Sequence, residues 1–213
     1  MKWSVVLVSL LAALGTACSR STLKVVPAAA SSSETLSSDW EAVDAGAPGN
    51  SAVWMERTES DGTPSIFVTT TNSDEAFNVL LSRASYGPNV DLSVRLRADS
   101  GATDQGGGLV WRAKDGDNYY ITRWNPLERN FRLYRVVGGV RKQLASAEAD
   151  LDPLAWHELR VTMIGPSILV TLDGAVKLTF EDTTFAEAGR IGLWTKADAA
   201  TSFSIPVAKT VGG

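Results

Sequence analysis

The chain has 213 residues, 44% hydrophobic and 21% charged, with 20 Lys and Arg against 24 Asp and Glu and a formal charge of −4. That mixture excludes a disordered chain and a multispanning membrane protein, and the acidic balance argues against nucleic acid, whose phosphates require a concentrated basic patch. A single cysteine excludes an internal disulfide and a cysteine-based zinc site, and a single histidine, His157, removes most metal and triad chemistries.

Residues 1–17 read as an export signal. Lys2 supplies the positive end, Val5 to Leu14 is an apolar run interrupted only by Ser9, and Gly15-Thr16-Ala17 supplies small residues. The run is too short to span the ~30 Å of a bilayer's hydrocarbon. Cys18 follows directly, and the segment resembles a bacterial lipobox with Cys18 as the lipidated residue. It departs from the common pattern in having Leu14 four residues before the cysteine rather than three. Ordinary cleavage after Ala17 is the alternative. Residues 18–38 are rich in Ser and Ala and read as a flexible linker. The expected location is the bacterial cell envelope, as a periplasmic or surface lipoprotein held to the membrane through a lipid anchor only, or alternatively secretion.

Residues 39–208 read as one all-β unit, an antiparallel two-sheet sandwich, followed by a tail over 209–213. Turn signals recur every eight to twelve residues between period-two segments, giving about twelve candidate strands. In Asp91 to Ala98, Leu92, Val94, Leu96 and Ala98 alternate with Ser93, Arg95 and Arg97. Leu159, Val161 and Met163, then Ile168, Val170 and Leu172, then Val176, Leu178 and Phe180, then Ile191 and Leu193 continue the rule. Only Thr183 to Ala188 have spacing for a helical turn. Gly138-Gly139 predicts a two-residue hairpin pairing Val137 with Val140, Arg135 with Lys142 and Leu133 with Leu144. At Asp173-Gly174 the hydrophobic pattern demands an odd loop including Ala175, so that Val170 meets Leu178.

Five segments together carry a family resemblance: Gly107-Gly108-Leu-Val-Trp-Arg112, Asp117-Asn-Tyr-Tyr120 with Arg123, Trp156-His-Glu-Leu-Arg-Val161, Val170-Thr-Leu-Asp-Gly174 and Gly189-Arg-Ile-Gly-Leu-Trp194. In this order they resemble a concanavalin A-like jelly roll of the laminin-G and glucanase superfamily, and more narrowly the bacterial 3-keto-disaccharide hydrolase domain. The resemblance implies two antiparallel sheets, one concave and often used to hold saccharides. It leaves the activity open, because the fold hosts lectins, structural modules and glycosidases.

Glycosidases of this superfamily carry paired carboxylates on one strand, as retaining hydrolysis requires. The nearest match, Glu148-Ala-Asp-Leu-Asp152, lacks the last Glu and runs into Pro153, so it reads as a solvated turn. His157 reads as structural. Asp115-Gly-Asp-Asn118 gathers oxygen donors as calcium would need, but Asp-Gly is also a turn signal; no cofactor is expected, with calcium the one alternative. The most informative cluster is aromatic. With Ala113 to Asn118 as a hairpin loop, Trp111 pairs with Tyr120 and Arg112 with Tyr119. Leu109, Trp111, Tyr120, Thr122 and Trp124 then share one face, and Val110, Arg112, Tyr119, Ile121 and Arg123 the other. Flat rings with polar rims suit sugar rings, which nominates Trp111, Arg112, Asn118, Tyr120, Arg123, Trp124, Tyr134 and Trp194 as ligand-binding residues; packing in the core is the competing reading. Three functions stay open: a carbohydrate-binding module for a polysaccharide or glycoside, a glycoside-cleaving enzyme of the resembled family, and a structural domain with an envelope protein partner.

Overall fold

The computed structural model of the chain describes residues 33–46 and 51–212; the expected signal, Cys18 and most of the linker lie outside them. Strands in chain order are β1 (Ser33–Thr35), β2 (Trp40–Gly46), β3 (Val53–Thr58), β4 (Pro64–Thr69), β5 (Ala76–Tyr86), β6 (Val90–Ser100), β7 (Gly107–Asp115) and β8 (Asn118–Asn125). They continue with β9 (Asn130–Val137), β10 (Val140–Glu148), β11 (His157–Ile164), β12 (Ser167–Leu172), β13 (Val176–Glu181), β14 (Gly189–Lys196), β15 (Ala200–Ser204) and β16 (Val207–Thr210). The strands form two antiparallel sheets, one of nine strands in the order β1-β3-β4-β15-β6-β11-β12-β13 with β16 also on β6, the other of seven in the order β10-β9-β8-β7-β14-β5-β2.

The excess over the dozen expected strands includes short edge pieces. β1 has three residues and lies in the segment expected to be linker, and β16 has four; neither is long enough to display alternation. β15 and β16 share one edge of β6, at Leu96 to Ser100 and at Val90 to Ser93. Pro206 lies between them and has no N–H to continue the ladder.

Registers follow the hydrophobic pattern where no bulge intervenes. Gly138 and Gly139 take φ of 56° and 76°, and Val137 pairs with Val140 and Arg135 with Lys142, as expected. A bulge between Gln143 and Ala145 then shifts the ladder, so Leu133 meets Ala145 and not Leu144. Val170 pairs with Leu178 across the three-residue loop Asp173-Gly174-Ala175. Trp111 pairs with Tyr120 as expected, but Arg112 does not pair with Tyr119. The ladder breaks after Trp111 and resumes at Asp115 opposite Asn118, while Arg112 bulges out at φ 47°. Thr183 to Ala188 form no helical turn; they are an irregular loop whose Phe185 is buried with its ring edge-on to Tyr120 at 5.1 Å.

Between the sheets lies the main core. Leu92, Val94, Leu96 and Ala98 of β6 and Leu159, Val161 and Met163 of β11 meet Leu109, Trp111, Tyr120, Trp124 and Leu133 from the seven-stranded sheet. A second apolar cluster sits on the opposite, outer face of that sheet: Val79, Leu81, Val110, Tyr119, Ile121, Tyr134, Val136 and Trp194, with Val43 and Phe77 against it. β8 therefore buries side chains on both faces, which an alternation rule with one wet face does not anticipate.

Candidate functional site

Strand pairing arranges the outer face of the seven-stranded sheet in rows. One row runs Val79, Trp194, Gly108, Arg123, Arg132 and Ser146 across β5, β14, β7, β8, β9 and β10. The next runs Leu81, Gly192, Val110, Ile121, Tyr134 and Gln143. Gly108 is required where it stands, because a Cβ there would come 1.8 Å from the Thr122 carbonyl oxygen. Trp194 and Arg123 thus flank a position with no side chain.

An aromatic floor and a polar layer meet on this face. The Arg141 guanidinium lies over three rings, 4.6 Å from the centroid of Tyr134, 5.1 Å from Phe77 and 5.4 Å from Trp194. Trp194 donates its indole N–H to the Tyr119 hydroxyl at 3.1 Å, which locks the floor. Beside it, Arg123 donates to Asp104 at 3.0 and 3.2 Å and to Glu128 Oε2 at 3.0 Å. Arg132 and Asn130 both donate to the same Glu128 oxygen at 2.8 Å, and Asn125 donates to Asp104 at 3.0 Å. Burial pushes the Asp104 carboxyl above its ordinary range, and Arg123 only partly opposes it. For Glu128, partial burial acts the same way but is outweighed by Asn130, Arg123 and Arg132, which hold its carboxyl below the ordinary range.

Among the described residues, four polar atoms in this layer are shielded from solvent and make no hydrogen bond: Arg123 Nε, Arg132 Nε, Arg141 Nη1 and Asn130 Oδ1. Such atoms are uncommon in native folds and costly unless something completes them. Asn130 and Arg132 also line an open cavity of about 480 Å³ beside the β9–β10 pair, with Glu128, Arg129, Glu148 and Asp150 around it.

The eight nominated residues divide between four places. Arg123, Tyr134 and Trp194 stand together on the outer face. Trp111, Tyr120 and Trp124 do not: they are fully buried between the sheets, with Trp111 donating to Met163 Sδ at 3.1 Å and Trp124 to the Ala149 carbonyl at 3.3 Å, so their rings face no ligand. Arg112 is a structural clamp, donating to the carbonyls of Pro88, Phe185 and Gly165 at 2.7–2.8 Å and so tying three loops together. Asn118 closes the β7–β8 turn, donating to Asp115 and accepting from the Gly138 amide. Asp115 accepts from both Asn118 and the Asp117 amide, so that oxygen is engaged in turn closure. Among the described residues no group of three or more His, Cys, Asp or Glu is arranged to hold a metal ion.

His157 is buried, linked through Nδ1 to Asp173 at 2.6 Å and through Nε2 to the Asp152 carbonyl at 2.8 Å, with its ring edge-on to Trp124. Glu148 ends β10 exposed, and Asp150 and Asp152 lie in the following loop. Sequence reasoning missed Phe77, Asp104, Glu128, Asn130 and Arg141. For Arg141 a signal existed: the Gly138-Gly139 hairpin sets it opposite Val136, on the face of Tyr134. Asp104 sits in a loop and carries none.

The fold matches solved structures. The carbohydrate binding module CBM66 from Bacillus subtilis superposes with a TM-score of 0.66 at 18% identity, covering 81% of this chain and 96% of that one. A Bacillus subtilis protein of unknown function with a galectin-like fold gives 0.59 at 12% identity over 81% and 89%. The Bacillus licheniformis beta-glucanase gives 0.57 at 16% identity over 85% and 98%. At these identities the likeness establishes the jelly-roll sandwich alone. No curated protein sequence matches the chain. Residues 32–204, which span both sheets as far as the end of β15, match the family described as the 3-keto-alpha-glucoside-1,2-lyase-like domain, and the chain belongs to that family.

Proposed function

We propose that the chain is a carbohydrate-binding module that takes a polysaccharide or glycoside on the outer face of its seven-stranded sheet. The observation that carries this is the part-exposed Arg141 guanidinium held over an aromatic floor, beside an open cavity lined by Asn130 and Arg132. Arg132 and Arg141, both part-exposed, and Asn130 and Arg132, which line the cavity, present polar groups that a ring of hydroxyls can meet, while buried Arg123 stays paired with Asp104 and Glu128. Glu128 and Asp104 orient the arginines here; Glu128, held ionised by its three partners, is a poor proton acceptor near neutral pH. The carbohydrate-related structural neighbours support the same reading. A glycan array followed by calorimetry tests it: binding that is lost in Arg141→Met and in Arg132→Gln supports it, and a wild-type protein silent on every saccharide overturns it.

A second reading, lyase action on a 3-keto-glycoside, is favoured by the family and by one group on this face. Asp104 is the carboxylate there whose pKa is pushed up, as a base abstracting a proton next to a ketone would need. Turnover of a 3-keto-glucoside that Asp104→Asn abolishes would establish it over simple binding.

For placement in the cell, the lipobox-like segment supports export and anchoring at the envelope through a lipid on Cys18. Mass spectrometry of the mature N-terminus and membrane fractionation test this. Wild-type protein in the membrane fraction and Cys18→Ala protein in the soluble fraction is the expected result; equal partition of both would exclude the anchor.

A further inference from the structure

We propose that the saccharide taken at this face carries a carboxylate, as a uronate does, and that this group docks on Arg141, with the neutral part of the ligand directed to the cavity beside Asn130 and Arg132. The inference rests on the carbohydrate-binding reading above and adds the charge of the ligand and its direction.

The three guanidinium groups differ in what balances them. Arg123 is paired with Asp104 and Glu128, both at 3.0 Å, and Arg132 with Glu128 at 2.8 Å. Arg141 forms no ion pair among the described residues; its neighbours are the faces of Tyr134, Phe77 and Trp194, and the opposed charges of Arg123 and Asp104 both act on it from further off. Ring quadrupoles attract a cation but accept no strong hydrogen bond from it, and Nη1 is left shielded and unbonded. A sugar hydroxyl would bond the part-exposed guanidinium without compensating the charge. A carboxylate does both and matches the planar fork of a guanidinium.

Direction follows from the opposite end. The cavity beside Asn130 and Arg132 carries Glu128, Glu148 and Asp150 against Arg129 and Arg132, with Arg129 on Asp150 and Arg132 on Glu128. Its one charge without an ion pair among the described residues is the Glu148 carboxylate, which disfavours a second carboxylate and accepts from hydroxyls. Asn130 Oδ1, buried and unbonded there, is an acceptor and suits the same hydroxyls. Tyr134 joins the two ends: its ring lies 4.6 Å from the Arg141 guanidinium and its hydroxyl 3.4 Å from Arg132 Nη1. A short oligosaccharide can touch both.

The test measures the wild-type chain against matched pairs by calorimetry: oligogalacturonate and its methyl ester, glucuronoxylan and its carboxyl-reduced form. At least tenfold tighter binding of one acid over its neutral partner, falling with added salt, lost in Arg141→Met and only partly kept in Arg141→Lys, is the expected result. If Arg141→Met does not fold by thermal melting, the salt dependence and the acid-to-ester ratio of the wild type carry the same discrimination. Equal affinity for acid and neutral partner overturns the carboxylate assignment and leaves carbohydrate binding standing. No binding to any saccharide on the wider array overturns both.

Discussion

Asp182 is almost fully buried just after β13, yet it is arranged to keep its charge. Its carboxylate accepts from the Tyr120 hydroxyl at 2.6 Å, from the Thr184 amide at 2.7 Å and from Arg135 at 2.7 Å. Burial favours the neutral acid, but these hydrogen bonds outweigh it and hold the carboxyl below its ordinary range. The folded-state pKa therefore lies below the unfolded value of about 3.9. The stabilisation is present above that value and is lost as pH falls through the folded one. Asp198, partly buried but accepting from the amides of Ala102, Thr103 and Asp104, has the same sign. Thermal melts from pH 7 to pH 2 are expected to show Asp182→Asn less stable than wild type at neutral pH, with the gap closing below about pH 4. A gap that does not depend on pH would contradict this assignment. Arg112 offers a second test at this scale. Replacing it with Met leaves carbonyls of three loops without their donor, and a loss of roughly 1–3 kcal/mol is expected in urea unfolding.

Strands and hairpins show how far alternation and turn chemistry reach. Gly138-Gly139 and Asp173-Gly174-Ala175 could be placed from residue types and parity, because both loops demand positive φ and each strand has one apolar face to align. The bulges were not legible. Leu144 looks like any inward leucine, and Arg112 is a non-glycine residue that adopts positive φ only because its guanidinium is clamped elsewhere. Two glycines separate conformational from steric demand. Gly138→Val forces a β-branched residue to φ 56° and is expected to cost about 1–2 kcal/mol. Gly108→Ala drives a Cβ against the Thr122 carbonyl across the β7–β8 ladder, so the strands must separate locally, and the loss should be the larger of the two. Urea midpoints of the two variants decide it; equal losses would mean that β7 and β8 can relax apart cheaply.

Over the whole molecule, β6 is the strand on which the nine-stranded sheet depends, since β11 lies along one side and β15 and β16 share the other. Leu96, fully buried at its centre, is expected to cost about 2–5 kcal/mol when replaced by Ala. Pairings such as β5 with β14 and β6 with β15 join residues about a hundred positions apart. Refolding is therefore expected on the millisecond-to-second scale or slower, and a microsecond phase carrying the full amplitude would contradict the topology.

The amino-acid order alone determined the class of fold, the inward set of the long strands, the register at the Gly138-Gly139 tip and across Asp173-Gly174-Ala175, and the family, because each depends on local period, turn residues and motif order. It also divided the side chains of β7 and β8 into two faces, with Arg112 at the bulge the exception. Which face was the sandwich interior was decided only by the tertiary structure. Both faces of β8 are apolar, so Trp111, Tyr120 and Trp124 could not be distinguished by pattern from Tyr119, Tyr134 and Trp194. The same holds for the assembly of Asp104, Glu128, Arg132 and Arg141 around Arg123. They reach one face from a loop, a turn and separate strands, and only the packing of the sheets brings those charges together and leaves Arg141 without an ion pair among the described residues.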